Sequence, residues 1–335
     1  MRRYGNLFEN IISFENLLKA AKKAFRGKKD KARVARFYFD MEKELLCLQE
    51  ELLNKTYEPR PLRKFQIREP KPREIGASDF RDRVVHHAIC NTIEPILERG
   101  SIHHSYACRI GKGTHRAVMQ AQIFSRKHSY FLKCDIRKYF ASIDHEILNK
   151  MLARKFKDAD LMWLLNTIID SAESENTGKG VPIGSLTSQH FANLYLDKLD
   201  HCIKDCLRVK SYLRYMDDFI LFGNEKAELH LLHSTIRAFL RDELTLELKE
   251  KATIIAPVQE GDPFLGFWIF PNLIRLKHEN KKRALNTLKS RNRAFKSGKT
   301  NEEKYSQSLM SITEYLKIGN TYNLRKDIFS KMFFL

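Results

Sequence analysis

The stretch Tyr212-Leu213-Arg214-Tyr215-Met216-Asp217-Asp218-Phe219-Ile220-Leu221-Phe222 places two adjacent acids between two apolar runs. It reads as a hairpin, with strands over Tyr212–Tyr215 and Phe219–Phe222 and a turn at Met216–Asp218. Working outward, a second apolar run, Tyr130–Ile136, reads as a buried strand and carries Asp135 near its end. If that strand lies beside the hairpin, acids 82 residues apart in the chain converge. Clustered carboxylates are hard oxygen donors suited to Mg²⁺. Two such ions about 4 Å apart can serve an in-line phosphoryl displacement. Taken singly, each acid has a plainer explanation, since Asp tolerates turns and caps helices.

The balance of charge points to the partner. Of 335 residues, 60 are Lys or Arg and 41 are Asp or Glu, a formal charge of +19. An excess of that size favours a polyanion, nucleic acid first. At 43% hydrophobic residues the chain can bury a core, which excludes a disordered polymer. No apolar run nears the roughly 18 residues of a membrane span, and the N-terminus lacks an apolar signal core, so a cytoplasmic chain without membrane contact is expected. The cysteines lie mostly in apolar patterns and read as core thiols, and His86–His87 and His103–His104 lack a second ligand pair at zinc spacing.

Along the chain, four segments are expected. Residues 1–58 form a basic helical region, with two helices between Phe14 and Leu53 broken near Gly27. Residues 59–134 begin with Pro-rich edge strands over Pro59–Ile75, continue as a helix over Asp79–Leu97, and after a loop at Ser105–Thr114 give another helix at Arg116–Arg126. Residues 135–271 hold the acids, helices from His145 to Ala172, a helix ending near Asp205, a helix over Ala227–Glu243, and strands at Thr253–Ala256 and Phe264–Phe270. Residues 272–335 form a basic helical end, with ten Lys or Arg and one acid, Glu279, in 275–299.

An ordered series of motifs across residues 59–270 resembles the reverse transcriptases, and the group II intron and related bacterial enzymes in particular. Lys71-Pro72-Arg73-Glu74-Ile75 and Phe80-Arg81-Asp82-Arg83 resemble the first two motifs, Asp135-Ile136-Arg137-Lys138-Tyr139-Phe140 the third, and Tyr215-Met216-Asp217-Asp218 the fifth. Lys251 resembles the lysine of the sixth, and Phe264-Leu265-Gly266-Phe267 the seventh. The resemblance implies an α+β fold of the right-hand polymerase class, with fingers, an antiparallel palm and a short helical thumb. It also implies an RNA-directed DNA polymerase acting on deoxynucleoside triphosphates with two Mg²⁺ ions.

On that resemblance, Asp135, Asp217 and Asp218 are catalytic and hold the metals with the Ile136 carbonyl. Lys71, Arg73, Arg81, Ile183, Gly184, Gln189 and Lys251 contact the nucleotide. Tyr139 is the ring that screens the sugar, with Phe140 in the core; the alternative makes both rings core. Gly266, Lys281, Lys282, Arg283, Arg291 and Arg293 meet nucleic acid. For each basic residue the alternative is an ordinary surface charge.

The fourth motif, Pro182-Ile183-Gly184-Ser185-Leu186-Thr187-Ser188-Gln189, has isoleucine where most of these enzymes carry glutamine before the glycine. In this it resembles the reverse transcriptases of diversity-generating retroelements, bacterial or phage-encoded, which copy a template RNA with errors at adenine and deliver the cDNA to a variable gene. Partners implied are the template RNA, the RNA–DNA hybrid and a small basic accessory protein forming a pentameric ring. Isoleucine offers bulk but no hydrogen bond, so selectivity should fall; the alternative is a packing swap. Two rivals stand: a retron-like or phage-defence reverse transcriptase, and a non-enzymatic RNA-binding protein on a decayed polymerase fold.

Overall fold

The computed structural model describes residues 3–28, 32–67, 73–171 and 177–333. It divides into two compact units, each assembled from three separate stretches of chain. The first comprises Met1–His103, Ile136–Cys202 and Arg237–Glu247. Its central element is the helix Phe80–Gly100, which buries Val84, Val85, Ala88, Ile89 and Ile93 against the helices Phe14–Phe25 and Leu186–His201. Asp79 starts this helix by accepting the Arg81 N–H at 3.2 Å. Asn16 stitches two of the helices together, donating to the Ala88 carbonyl at 3.0 Å. The Pro-rich segment forms the expected antiparallel pair, β1 (Arg63–Ile67) and β2 (Arg73–Ala77).

The second unit comprises His104–Asp135, Ile203–Ile236 and Leu248–Leu335. Its main sheet uses β3 (Tyr130–Asp135), β4 (Tyr212–Tyr215), β5 (Asp218–Gly223) and β6 (Ile254–Pro257), in the order β4-β5-β3-β6 and antiparallel throughout. Period-2 side-chain alternation puts Phe131, Leu213, Ile220 and Phe222 on one face, where they pack with Ala117, Val118 and Ala121 of the helix Thr114–Ser125. A smaller sheet follows, β7 (Asp262–Phe264), β8 (Phe267–Ile269) and β9 (Ile274–Leu276). The helices His278–Lys296, Glu302–Lys317 and Tyr322–Phe333 complete the unit.

The structure differs from the sequence reading in four places. The second N-terminal helix is two helices, Ala32–Phe39 and Met41–Leu53, parted at Asp40. Phe264–Phe270 is not one strand but the end of β7, a turn and β8, because Leu265 and Gly266 both have positive φ, 46° and 89°. The strand β9 pairs with β8, so the smaller sheet continues across the boundary drawn at residue 272. Cys90 and Cys134 are buried as expected, whereas Cys47, Cys108 and Cys206 are exposed. Among the described residues no helix is long and apolar enough to cross a membrane.

Two positions in the smaller sheet give stability predictions. At Gly266 a Cβ would collide with Asn280 Nδ2 and lie 3.1 Å from the Tyr315 hydroxyl. With its positive φ as well, Gly266→Ala should destabilise the protein by about 2–3 kcal/mol, read as a lowered urea midpoint. Asp262, the first residue of β7, is 1% exposed, and its two carboxylate oxygens have no hydrogen-bond partner among the described residues. Burial holds its proton up to about pH 7, against the ordinary 3.8, although Lys133 and Lys277 pull the other way. The folded state therefore binds the proton more tightly than the unfolded chain, and stability falls as pH rises from 3.8 to 7. Asp262→Asn removes that loss, so its stability relative to wild type should improve from pH 4 to pH 7.5 in urea unfolding.

Candidate active site

The acids are brought together by strand register. Asp135 ends β3 and stands opposite Asp218, the first residue of β5. The hairpin β4–β5 pairs Tyr215 with Asp218, leaving Met216 and Asp217 as a two-residue turn. Met216 takes φ 57°, a left-handed conformation that costs a non-glycine residue about 1 kcal/mol. Local bonds hold it there. The buried Arg214 donates to the Met216 carbonyl at 3.1 Å, and the Thr114 hydroxyl donates to that of Tyr215 at 3.2 Å. The Asp135 carbonyl accepts the Lys249 N–H at 2.8 Å. Ile136, next in the chain, is buried at 1% exposure.

The three acids are not equivalent. Asp135 and Asp217 are half-buried at the edge formed by the strand end and the turn. Asp218 Oδ1 instead lies 2.5 Å from Lys133 Nζ, an ion pair with side-chain exposures of 20% and 9%. Burial raises the Asp218 carboxyl to about 6, while Lys133 opposes the shift. Burial likewise works against the Lys133 charge but is outweighed, chiefly by Asp218 and then Asp262, so the ammonium is held charged. Among the described residues no three His, Cys, Asp or Glu side chains gather as metal ligands. The hard oxygen donors of Asp135 and Asp217 suit Mg²⁺, and Asp218, also expected as a ligand, has its Oδ1 engaged by Lys133.

In the first unit, the loop carrying Ile183 and Gly184 is pinned to β2. The Gly76 N–H donates to the Ile183 carbonyl at 3.1 Å. Gly184 has φ 116°, and a Cβ there would lie 3.0 Å from Ile75 Cγ2 and 3.1 Å from the Gly76 carbonyl oxygen, so only glycine fits. Beneath it, buried His86 bonds Thr187 Oγ1 through Nδ1 at 3.0 Å, and Thr187 Oγ1 is 3.0 Å from Ser185 Oγ. Burial lowers the His86 imidazole to about 4, with His87 and Arg83 adding to the shift, so it buttresses the loop as a neutral ring. Ile183 and Gln189 are half-buried.

Lys71 lies outside the described residues, and Arg73 begins β2. Arg81 is turned into the core, ion-paired with Glu51 and 5.4 Å over the Tyr57 ring, because a guanidinium buried to 7% exposure must find an acid. Tyr139 is 2% exposed and donates its hydroxyl to the Ala192 carbonyl; Phe140 is the half-buried ring beside it. The order expected for these two rings is thus reversed. The short helix Tyr139–Ser142 starts after Lys138 at φ 45° and turns the first ring inward.

In the second unit, Lys251 is exposed on the turn Glu250–Ala252. Lys281, Lys282, Arg291 and Arg293 are exposed on the helix His278–Lys296, while Arg283 is half-buried and donates to Asn280 Oδ1 at 2.7 Å. At Gly266 an added Cβ would meet Asn280 and Tyr315, so the close packing there admits only glycine. The reading from sequence passed over Lys133, Arg214, Asp262 and His86. Only Lys133 left a signal, as the one charge inside the apolar run Tyr130–Cys134, two residues before Asp135 and so on its face of the strand.

Residues 63–269 match the family "Reverse transcriptase (RNA-dependent DNA polymerase)". Protein YkfC of Escherichia coli K12 is 28% identical over 267 residues, 67% of this chain and 70% of that protein. The group II intron-encoded protein LtrA of Lactococcus lactis is 23% identical over 318 residues, 73% of this chain but only 53% of LtrA, so the chain spans about half of that relative. Among solved structures, apo telomerase from Candida tropicalis, truncated from its C-terminal domain, has a TM-score of 0.51 at 12% identity, over 68% of this chain and 59% of that one. The likeness is one of fold, and with the mixed helices and antiparallel sheets it gives the α+β, right-hand polymerase class. With the matched region covering more than half of its residues and carrying the acid pair Asp135 and Asp218 in register, the chain belongs to the reverse transcriptase family.

Proposed function

We propose that this protein copies an RNA template into DNA as the reverse transcriptase of a diversity-generating retroelement, with Asp135 and Asp217 as its catalytic carboxylates. The observation that carries the chemistry is the β3–β5 register, which sets Asp135 beside the Asp217–Asp218 turn. Mg²⁺ ions held by Asp135, Asp217 and the Ile136 carbonyl would activate the primer 3′-hydroxyl and neutralise the departing pyrophosphate. The chain's own residues prepare that reaction. Arg214 and Thr114 hold the turn in its left-handed conformation, Lys249 fixes the end of β3, and Lys133 anchors Asp218. The half-buried Phe140, not Tyr139, is the ring available to screen the sugar.

The retroelement assignment is supported by Ile183 in place of the usual glutamine, on a loop that Gly184 and His86 fix in position. Its partners are a template RNA, the RNA–DNA hybrid and a small basic accessory protein in a pentameric ring, in a bacterial cytoplasm. The exposed charges Lys281, Lys282, Arg291 and Arg293 would follow duplex phosphates, with steep dependence on salt.

Asp217→Asn tests the catalytic reading. Primer extension should fall by about a hundredfold or more, and RNA affinity measured on the same preparation should hold. Extension within a few-fold of wild type would remove Asp217 from the reaction. Ile183→Gln tests the source of infidelity. A restored amide is worth about 1 kcal/mol, so errors opposite template adenine should drop roughly fivefold, more than opposite other bases. Sequencing cDNA copied from a defined RNA reads this directly, and an unchanged adenine error rate would make Ile183 a packing residue.

A further inference from the structure

Lys133 occupies a position in the sheet that an apolar residue would fill at lower cost. It lies in β3 with 7% exposure, and burying an ammonium is costly unless the charge is paired. Its strand register sets it opposite Ile220, with Asp135 two residues on and Asp218 diagonal to it. The side chain spans that diagonal, placing Nζ 2.5 Å from Asp218 Oδ1 and 5.6 Å from the centre of the Phe264 ring. A second carboxylate, Asp262, interacts with the same ammonium and is itself buried with no hydrogen-bond partner among the described residues. Lys277 closes the group, donating to the Pro263 carbonyl at 3.2 Å and lying 5.4 Å over the Trp268 ring.

Two consequences follow from Coulomb's law. The Asp218 carboxylate, opposite Asp135 in register, has its Oδ1 engaged by the Lys133 ammonium. Lys133 also places a positive charge, two residues from Asp135 and on the same face of β3, that works against any cation bound there. Asp262 has the opposite sign and moderates that charge from behind.

We infer that Lys133, with Asp262 behind it, is a positioning residue that withdraws Asp218 from the cation-binding set and weakens the hold of Asp135 and Asp217 on a divalent cation. This rests on the reading that Asp135 and Asp217 bind the cation. A weakened hold suits an enzyme that must release a metal-bound product at each addition, whereas three free carboxylates would grip it.

The test is direct Mn²⁺ binding to the full chain without nucleotide, followed by electron paramagnetic resonance of the free ion at pH 8. Lys133→Met should tighten binding by about three- to tenfold. Asp262→Asn, nearly isosteric, should loosen it by about twofold. Damage to the fold would not move the two variants in opposite directions. An unchanged dissociation constant in Lys133→Met, or shifts of the same sign in both, overturns the inference. Asp262→Asn decides the matter if Lys133→Met does not fold, and an unchanged constant there overturns it too. Asp217→Asn separates the underlying reading. If it leaves wild-type Mn²⁺ binding intact, the assignment of the cation to Asp217 fails, and the inference falls with it.

Discussion

The pairing of β3 with β5 is the constraint on which the site depends. Side chains alternate strictly along a strand, so a slip of one residue would send Asp135 to one face and Asp218 to the other. The register is fixed by apolar residues further along the strands, with Phe131 opposite Phe222 and Leu213 opposite Ile220. Phe131, Ile220 and Phe222 pack with Leu213 and the helix Thr114–Ser125, and each fully buried side chain of this kind contributes about 2 kcal/mol. The energy that sets the acids in place is therefore hydrophobic and lies at the opposite end of the strands from the acids themselves.

That separation explains what was legible in the sequence. The strands of the palm and the hairpin were readable because their signals are local: alternation, an apolar run ending in Asp135, and two acids between apolar segments. The turn at Leu265–Gly266 was hidden because apolar residues flank it on both sides, leaving one glycine as its only mark. Arg81 could not be placed, since its partner Glu51 comes from a helix 30 residues earlier, and local sequence carries no trace of that pairing. Tyr139 and Phe140 were exchanged for a similar reason. Adjacent rings point in different directions, and which of them is buried depends on the left-handed Lys138 that starts their helix.

The same limit applies to the loop of Ile183. Its sequence identifies an unusual residue, but its conformation is decided by contacts with other elements. Gly184 is squeezed against Ile75 and Gly76, and Thr187 and Ser185 are bonded around a neutral His86. A loop held this firmly can tolerate the loss of one amide without collapse. On the proposed function, isoleucine in place of glutamine would act on selectivity without a large effect on stability, which is what separates a specificity change from a folding defect.

The +19 charge of the whole chain suits phosphate, yet the palm must hold carboxylates close together. Surface charges on the helix His278–Lys296 are screened by salt beyond roughly 10 Å, and do little for acids packed in a sheet. Neutralisation has to be local and internal, and Lys133 provides it. The Lys133 ammonium is shared between Asp218 and Asp262, with Lys277 adding a second, less buried positive charge to the group. Burial raises both acids, to about 6 and about 7, and the lysines only partly offset it. More positive charge at the strand would offset it further, but would also oppose any cation held by Asp135 and Asp217. The arrangement is thus a compromise between the stability of the sheet, which favours more positive charge, and the binding of metal at its edge, which favours less.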